Sequence, residues 1–527
     1  MRTPRSLPLP SALARPAGKR SGESRSALRP NLLSLAAAAL LGPLSVAPAS
    51  ALVCVWNPAT GNWGTGSDWS CSVVPTAGNA DTATIGAGKV VTVNDLQSPG
   101  TFRSTRFLNN AGTLNLDAFG LTLGGGGATV NSGTIQVGGA STAALQVSAG
   151  HNIDNSGGAI NIGAGSVLNQ FGSSISGGTI TTAGTGMLAV FSSSGNILSG
   201  VSFNGAIDMA TNANSRQRIG NGMTLNGSIA IANGGILSLD STAVANQTIN
   251  GSATFNLNDA GARLAIEGNG STTLGANVVV RGQGNVGQAA FTGGTNTLIN
   301  NGRISADAGG GTLSLTPPAG SGSVINNNLL DARNGGTLVI STTVDNSSGQ
   351  INAQTGSTVV QAGASIKGGT LGTSGSGVIQ VNSSGSNFLD GVTLSGVLDM
   401  SGIANARNRI INSTTINGAV NVGNGGILSI DGTASSGGNV LLNGTGVINL
   451  TDAGARLAVE GNGTSTLGSG LTVRGQGSIG QANVAGGSNL LTNNGLISAD
   501  VNGGTLNIVP PANSGSFVNN GTLQAVS

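Results

Sequence analysis

The chain has 527 residues, 91 of them Gly and none Tyr, and only 8% are charged, against roughly 25% in an ordinary soluble domain. That composition excludes a usual globular enzyme, while the 38% hydrophobic content supplies a core that a disordered Gly/Ser linker lacks. The formal net charge is +2, but residues 1–51 hold seven of the 21 basic residues and one of the 19 acidic ones, so the rest carries 14 against 18, a net −4. No dense basic patch suited to nucleic acid remains.

The N-terminus reads as an export signal. Arg2, Arg5, Arg15, Lys19, Arg20, Arg25 and Arg29 precede an apolar run over residues 32–46, and Ala49-Ser50-Ala51 supplies a small-residue cleavage site. Gly42 and Pro43 interrupt the run, which falls short of the ~20 apolar residues of a membrane span. A signal peptide over 1–51 is therefore expected, followed by a mature chain that does not span the membrane.

Cys54 and Cys71 are the only cysteines. In an exported chain such thiols usually pair, so one disulfide is expected; two Cys without a nearby His fall short of a structural zinc site. Trp56, Trp63 and Trp69 crowd the same stretch. They suit either a sugar-stacking platform or, the favoured reading, a hydrophobic plug over an open solenoid end. Residues 52–106 are assigned to this cap.

Beyond it the chain repeats on two scales. Turn-plus-strand units such as Ala111-Gly-Thr-Leu114, Ser132-Gly-Thr-Ile135 and Gly177-Gly-Thr-Ile180 recur every 20 to 27 residues, a period that suits one coil of a solenoid. Roughly 20 such coils at ~4.8 Å each would give a rod on the order of 100 Å. On the larger scale, residues 204–240 return as 395–431 at an offset of 191, and Asp259-Ala-Gly-Ala-Arg-Leu-Ala265 returns at 452–458 at an offset of 193. Units are drawn at 107–297 and 298–490, with an incomplete third at 491–527.

The fold expected is all-β: a right-handed parallel β-helix (β-solenoid) with a Trp-rich, disulfide-stapled N-terminal cap. Antiparallel sandwiches of about 95 residues would show similar alternation. They normally carry aromatic anchors, whereas residues 107–527 hold only scattered Phe and no Trp or Tyr. Long Asn/Ser/Gly runs also suit coil corners, where Asn side chains stack in ladders.

The segment Val55-Trp-Asn-Pro-Ala-Thr-Gly-Asn-Trp63, with Trp69, Pro75, residues 78–85 and Val90-Val-Thr-Val93, resembles the opening module of bacterial autotransporter-like and haemagglutinin-like surface proteins. The Asn-Gly-Thr-Leu style repeats resemble their β-helical passengers. The resemblance implies an adhesin-type protein of the cell surface or extracellular space, exported through outer-membrane machinery. Two departures leave that route open: the chain ends at Leu523-Gln-Ala-Val-Ser527 within a repeat rather than in a membrane barrel, and Asn57-Pro58 is only a fragment of the Asn-Pro-Asn-Gly-Ile motif of two-partner secretion domains.

Few residues suggest chemistry. Asp259, Arg263 and Glu267 recur as Asp452, Arg456 and Glu460, which a lyase or hydrolase on a parallel β-helix could use. An exposed structural ion pair, Arg263 with Glu267 and Arg456 with Glu460, is the favoured reading, with Asp259 opening a turn. His151 is the only histidine, is expected at the surface, and with Asp154 forms no triad. The Gly-Gln-Gly-Asn-Val-Gly at 282–287 lacks the following helix of a dinucleotide site, and Asp-rich calcium repeats are missing. No catalytic residue, metal or cofactor is assigned.

The function expected is adhesion by a rigid rod with weak, multivalent binding to host or environmental glycans or proteins. Arg216 and Arg218 with their copies Arg407 and Arg409 are the first candidates for a binding face. A carbohydrate-active β-helix enzyme and a purely structural layer protein are the alternatives.

Overall fold

Short stretches such as Thr134–Val137 place Ile135 and Val137 inward, both fully buried, and Thr134 and Gln136 outward. Period-two alternation of this kind gives a strand one apolar and one polar face. A computed structural model describes residues 50–95, 103–433 and 435–526; the expected signal peptide lies outside them, apart from its last two positions. Residues 50–527 form one compact unit.

Within that unit every third strand returns to the same sheet. The strand Asn152–Asp154 pairs with Ser174–Ser176, Ala159–Ile162 with Thr179–Thr182, and Val167–Gln170 with Met187–Val190, all parallel and in register. The chain thus winds a parallel β-solenoid with three sheets, here called first, second and third in that order. The antiparallel-sandwich alternative is overturned, because successive strands turn corners to different sheets and pair only with the next turn. Four long strands, Arg103–Asn110, Leu121–Asn131, Ser202–Met209 and Met223–Ile231, run round a corner and serve two sheets. In Ser202–Met209, for example, residues 202–204 pair with 179–181 while Ile207 and Asp208 pair with Leu188 and Ala189.

The core is a set of inward columns. Ile135, Ile160, Ile180, Phe203 and Leu225 stack in register on the second sheet, each fully buried. Each such side chain contributes about 1.5–3 kcal/mol of burial, and truncating a central one, Ile160→Ala, would cost about 2–5 kcal/mol. The column is narrow, and apart from Phe203 it is filled by β-branched and aliphatic residues.

Corners are closed by buried asparagines. Asn110 Nδ2 donates to Asn131 Oδ1 (2.7 Å), and Asn131 Nδ2 donates to Asn155 Oδ1 (2.6 Å). The series recurs as Asn300 to Asn326 (2.8 Å) and Asn326 to Asn346 (2.7 Å), then as Asn493 to Asn519 (2.7 Å). Each amide also reaches a backbone carbonyl of the following strand, as Asn110 does at Thr134 (3.0 Å), which satisfies groups that a turn leaves unpaired. Gly178 follows the same corner with φ +62°, and a Cβ there would lie 2.0 Å from the Asn155 carbonyl oxygen.

The N-terminal turn is the cap. Val53–Val55 joins the first sheet by pairing with Thr82–Thr84, and Cys54 and Cys71 form the expected disulfide. The ring of Trp69 meets those of Trp56 and Trp63 edge-on, both at 5.0 Å between centroids, and its Nε1 donates to the Trp63 carbonyl (3.0 Å). All three indoles are at most 2% exposed. A platform for stacking sugars needs exposed ring faces, so these rings serve as a plug.

Candidate functional site

Of the four arginines proposed as a binding face, Arg216 and Arg218 share the strand Arg216–Gly220 and Arg407 and Arg409 its copy Arg407–Ile411, and the structure gives each a partner. Arg218 Nε donates to Asp240 (2.8 Å) and the guanidinium lies 5.7 Å from the Phe291 ring centroid. Arg409 repeats this with Asp431 (2.6 Å) and stands over Phe388 at 4.7 Å. Arg216 donates to the carbonyls of Ser215 (3.0 Å) and Gly234 (2.8 Å), and Arg407 to those of Asn405, Ala406 and Gly425. Burial, and then the charge of Arg263, depresses the Arg216 pKa; burial and Arg456 do the same at Arg407. Both remain cations at any ordinary pH.

Burial tends to raise the Asp240 carboxyl, but hydrogen bonds from Thr242 and Arg218 outweigh it and hold the group below its ordinary range. Asp240 is 7% exposed and Asp431 fully buried. These pairs are partly desolvated, and so differ from freely solvated charges on an open surface.

The duplicated acidic residue needs a correction. Glu267 and Glu460 are fully buried and form no ion pair with Arg263 or Arg456. The Glu267 carboxylate accepts the backbone N–H groups of Ala290 (2.7 Å), Phe291 (3.1 Å) and Thr292 (2.8 Å). Glu460 accepts those of Asn483, Val484 and Ala485, each at 2.9 Å. A buried carboxylate is tolerated where several donors replace its water, and here it fastens the loop of the next turn to the sheet below. Strand alternation put position 267 outward; the loop that folds over it was not legible.

Asp259 does build its turn, accepting from Gly261 N (2.9 Å) and from Asn233 N (2.6 Å) one turn below; Asp452 accepts from Gly454 and Asn424 in the same way. His151 is also corrected: it is buried rather than at the surface. Its Nδ1 lies 2.6 Å from the Gly124 carbonyl and its Nε2 2.9 Å from Thr129 Oγ1. Asp154 instead takes the backbone N–H of Ser156 (3.0 Å).

Sequence reasoning missed a further set of pairs. Arg281 bonds Asp307 (2.8 Å), joined by Arg333 (3.4 Å), and Arg303 Nε bonds Asp331 (3.0 Å). Arg474 meets Asp500 (3.0 Å) and copies the Arg281–Asp307 pair at an offset of 193. The recoverable signal was the 26-residue gap between Arg and Asp in both copies, about one coil.

No protein-family model matches the chain, and no curated protein matches it. Three chains of known structure do. One is the crystal structure of a TibC-catalysed hyper-glycosylated TibA fragment, residues 55–350. This chain is 14% identical to it over 76% of its own length and all of that chain's, with a TM-score of 0.13, too low for the likeness to carry weight.

One geometric fact organises these residues. The strand Arg263–Glu267 and its copy Arg456–Glu460 are 25 strands apart, which is eight turns of three and one strand more. The first pairs within the first sheet (with Ile236–Asp240), and the second within the second sheet (with Ile427–Asp431). Each copy of the repeat is therefore carried round to the neighbouring face. The corner asparagines show all three positions: Asn110 lies on the first sheet, Asn300 on the second and Asn493 on the third.

Proposed function

We propose that the chain is an exported, non-enzymatic adhesive rod that acts at the cell surface or outside the cell. The observation that carries this reading is the 25-strand repeat, which presents the same sequence unit on successive faces of a stiff scaffold. Such a scaffold turns individually weak contacts into useful avidity, because a second contact on a rigid rod forms at high effective concentration. Its partners are host or environmental glycans or proteins and the export machinery of the outer membrane, and the leader 1–51 starts it on its way out of the cell. The Glu267 and Asp259 carboxylates are engaged by backbone donors, which favours this reading over a lyase or hydrolase.

The test is retention of the folded rod, residues 50–527, on glycan-coated, protein-coated and bare sensor surfaces, with polysaccharide turnover followed in parallel. Retention on a coated surface without turnover is expected. Turnover of a polysaccharide would replace the proposal with the enzymatic reading. Self-association without retention would replace it with a structural-layer role.

A further inference from the structure

The second sheet carries, on seven consecutive rungs, two outward columns of uncharged side chains. Paired residues give the first column as Val90, Thr113, Thr134, Ala159, Thr179, Ser202 and Thr224. The second runs Thr92, Asn115, Gln136, Asn161, Thr181, Asn204 and Asn226. Hydroxyls and amides occupy twelve of these fourteen positions, and none is charged. Nearly all are partly exposed.

Most of these groups have no partner in the chain. Among the described residues, the side chains of Thr113, Asn115, Thr134, Asn161, Thr179 and Thr181 make no hydrogen bond to a neighbour, whereas Gln136 Nε2 donates to the Gly138 carbonyl (2.6 Å) and Asn226 to Asn204 (2.9 Å). The array is thus a lattice of free donors and acceptors held at the rung spacing, ~4.8 Å. That spacing is comparable with the length of one pyranose unit in an extended chain. The array is not flat at its edges. Thr92, Asn115 and Gln136 line a cleft that continues to Asp117 and Gly138, and Ser202 and Thr224 border another with Asn221 and Asn246.

We infer that this face binds a neutral, hydroxyl-rich polysaccharide chain laid along the rod, each rung offering one sugar at least one hydroxyl or amide and four of the seven rungs offering both. Amides and hydroxyls both donate and accept, as sugar hydroxyls do, and a face without charge has no preference for acidic polymers. The rigid backbone holds the lattice in place, so binding orders no loop and costs entropy only in the side chains. The inference rests on the adhesive reading and names its ligand class and its face.

The experiment uses the rod of residues 50–527 and insoluble neutral glucans, with an acidic polysaccharide and a protein-coated surface as comparators. The variant Gln136→Ala/Asn161→Ala/Thr181→Ala removes the polar side chains of three consecutive rungs of the second column. Gln146→Ala/Asn169→Ala alters outward residues on the same rungs of the third sheet and serves as control, with circular dichroism verifying that both fold. Retention of the parent on the neutral glucan is expected, weakened by at least about tenfold in the triple variant, since several hydrogen bonds are lost together, and unchanged in the control. Equal weakening in both variants, or preference for the acidic polymer, would overturn the inference. Retention on protein alone would overturn it while leaving the adhesive reading standing; retention on no surface would sink both.

Discussion

Glu267 and Glu460 hold the same place in successive copies of the repeat, yet they lie on different sheets, Glu267 on the first and Glu460 on the second. A repeat of a whole number of turns would stack its copies on one face. A repeat of 25 strands instead advances each copy to the next face, so two copies gain avidity together only on a partner that surrounds or winds round the rod.

That geometry is measurable. Spin labels at Phe291→Cys and Val484→Cys, both exposed loop positions held by those two carboxylates, are separated by eight turns and one strand. At ~4.8 Å per turn the axial component is on the order of 40 Å. Pulsed dipolar spectroscopy should return a narrow distribution somewhat above that value, because the two labels also sit on different faces. A broad distribution would contradict a stiff rod between the two copies.

Replacing Glu267 by Gln removes one acceptor oxygen and sets an amide donor against three backbone N–H groups. Leaving such buried donors without an acceptor costs about 2 kcal/mol. Opening of the loop becomes easier by the same amount, so amide exchange at Ala290, Phe291 and Thr292 should speed up on the order of 30-fold. Exchange at Asn483, Val484 and Ala485, clamped by Glu460, should stay as it was. Uniform acceleration in both loops would mean that the carboxylate supports the whole rod rather than its own loop.

Much of the fold was legible because a solenoid writes its period into the sequence. The recurrence of Gly-Thr-Ile and Gly-Ala-Ile segments marks the coils, and the lack of Trp and Tyr after the cap matches a core as narrow as the Ile135–Leu225 column. The offset of 191, then 193, located the copies but not their faces; counting residues does not reveal that a unit holds one strand beyond eight full turns. The charged residues were harder to place. Arg263 and Glu267 share a strand and an alternation phase, so pairing looked natural, but the partner of Glu267 is backbone from the next turn. His151 was expected at the surface because no triad gave it a role in the interior. In the fold its neighbours include Thr129 and the Gly124 carbonyl, which meet both ring nitrogens.

Arg218 and Arg409 test the difference between a binding face and a structural pair. Arg409→Ala strands the buried Asp431 carboxylate with only its Thr433 contacts, and a buried charge that loses its partner is costly. Partial exposure of the arginine screens the loss, leaving about 2 kcal/mol. Urea unfolding of Arg218→Ala and Arg409→Ala should show the larger loss at Arg409, because Asp431 is the more buried acid. The quadruple variant that also changes Arg216 and Arg407 should be less stable but, where folded, retained on surfaces as well as the parent. Loss of retention without loss of stability would restore these residues as the binding face.

His151 gives the rod a pH dependence of known sign. Burial lowers its folded pKa, only partly countered by the hydrogen bond at Gly124, whereas in the unfolded chain it titrates near 6.5. A depressed folded pKa means that the unfolded state takes up the proton first. The neutral ring's contribution is therefore complete above about pH 6.5 and declines as the pH falls below it. Since the chain has one histidine, His151→Gln should abolish the slope of unfolding free energy in that window. A slope that survives would have to come from carboxylates.

The cap can be followed alone, because all three tryptophans of the chain lie in it. Cys54 and Cys71 close a loop with a sequence separation of 17, and a link of that size stabilises by about 3 kcal/mol, chiefly by restricting the open chain. That stabilisation acts locally, on the turn that covers the first rungs. Cys54→Ser/Cys71→Ser should therefore let the cap open at lower denaturant, with tryptophan emission shifting to the red as Trp56, Trp63 and Trp69 meet water, while circular dichroism of the remaining turns changes later. Coincidence of the two transitions would show that the plug and the rod unfold as one unit, and that losing the cap exposes the first strand edge enough to unwind the rest.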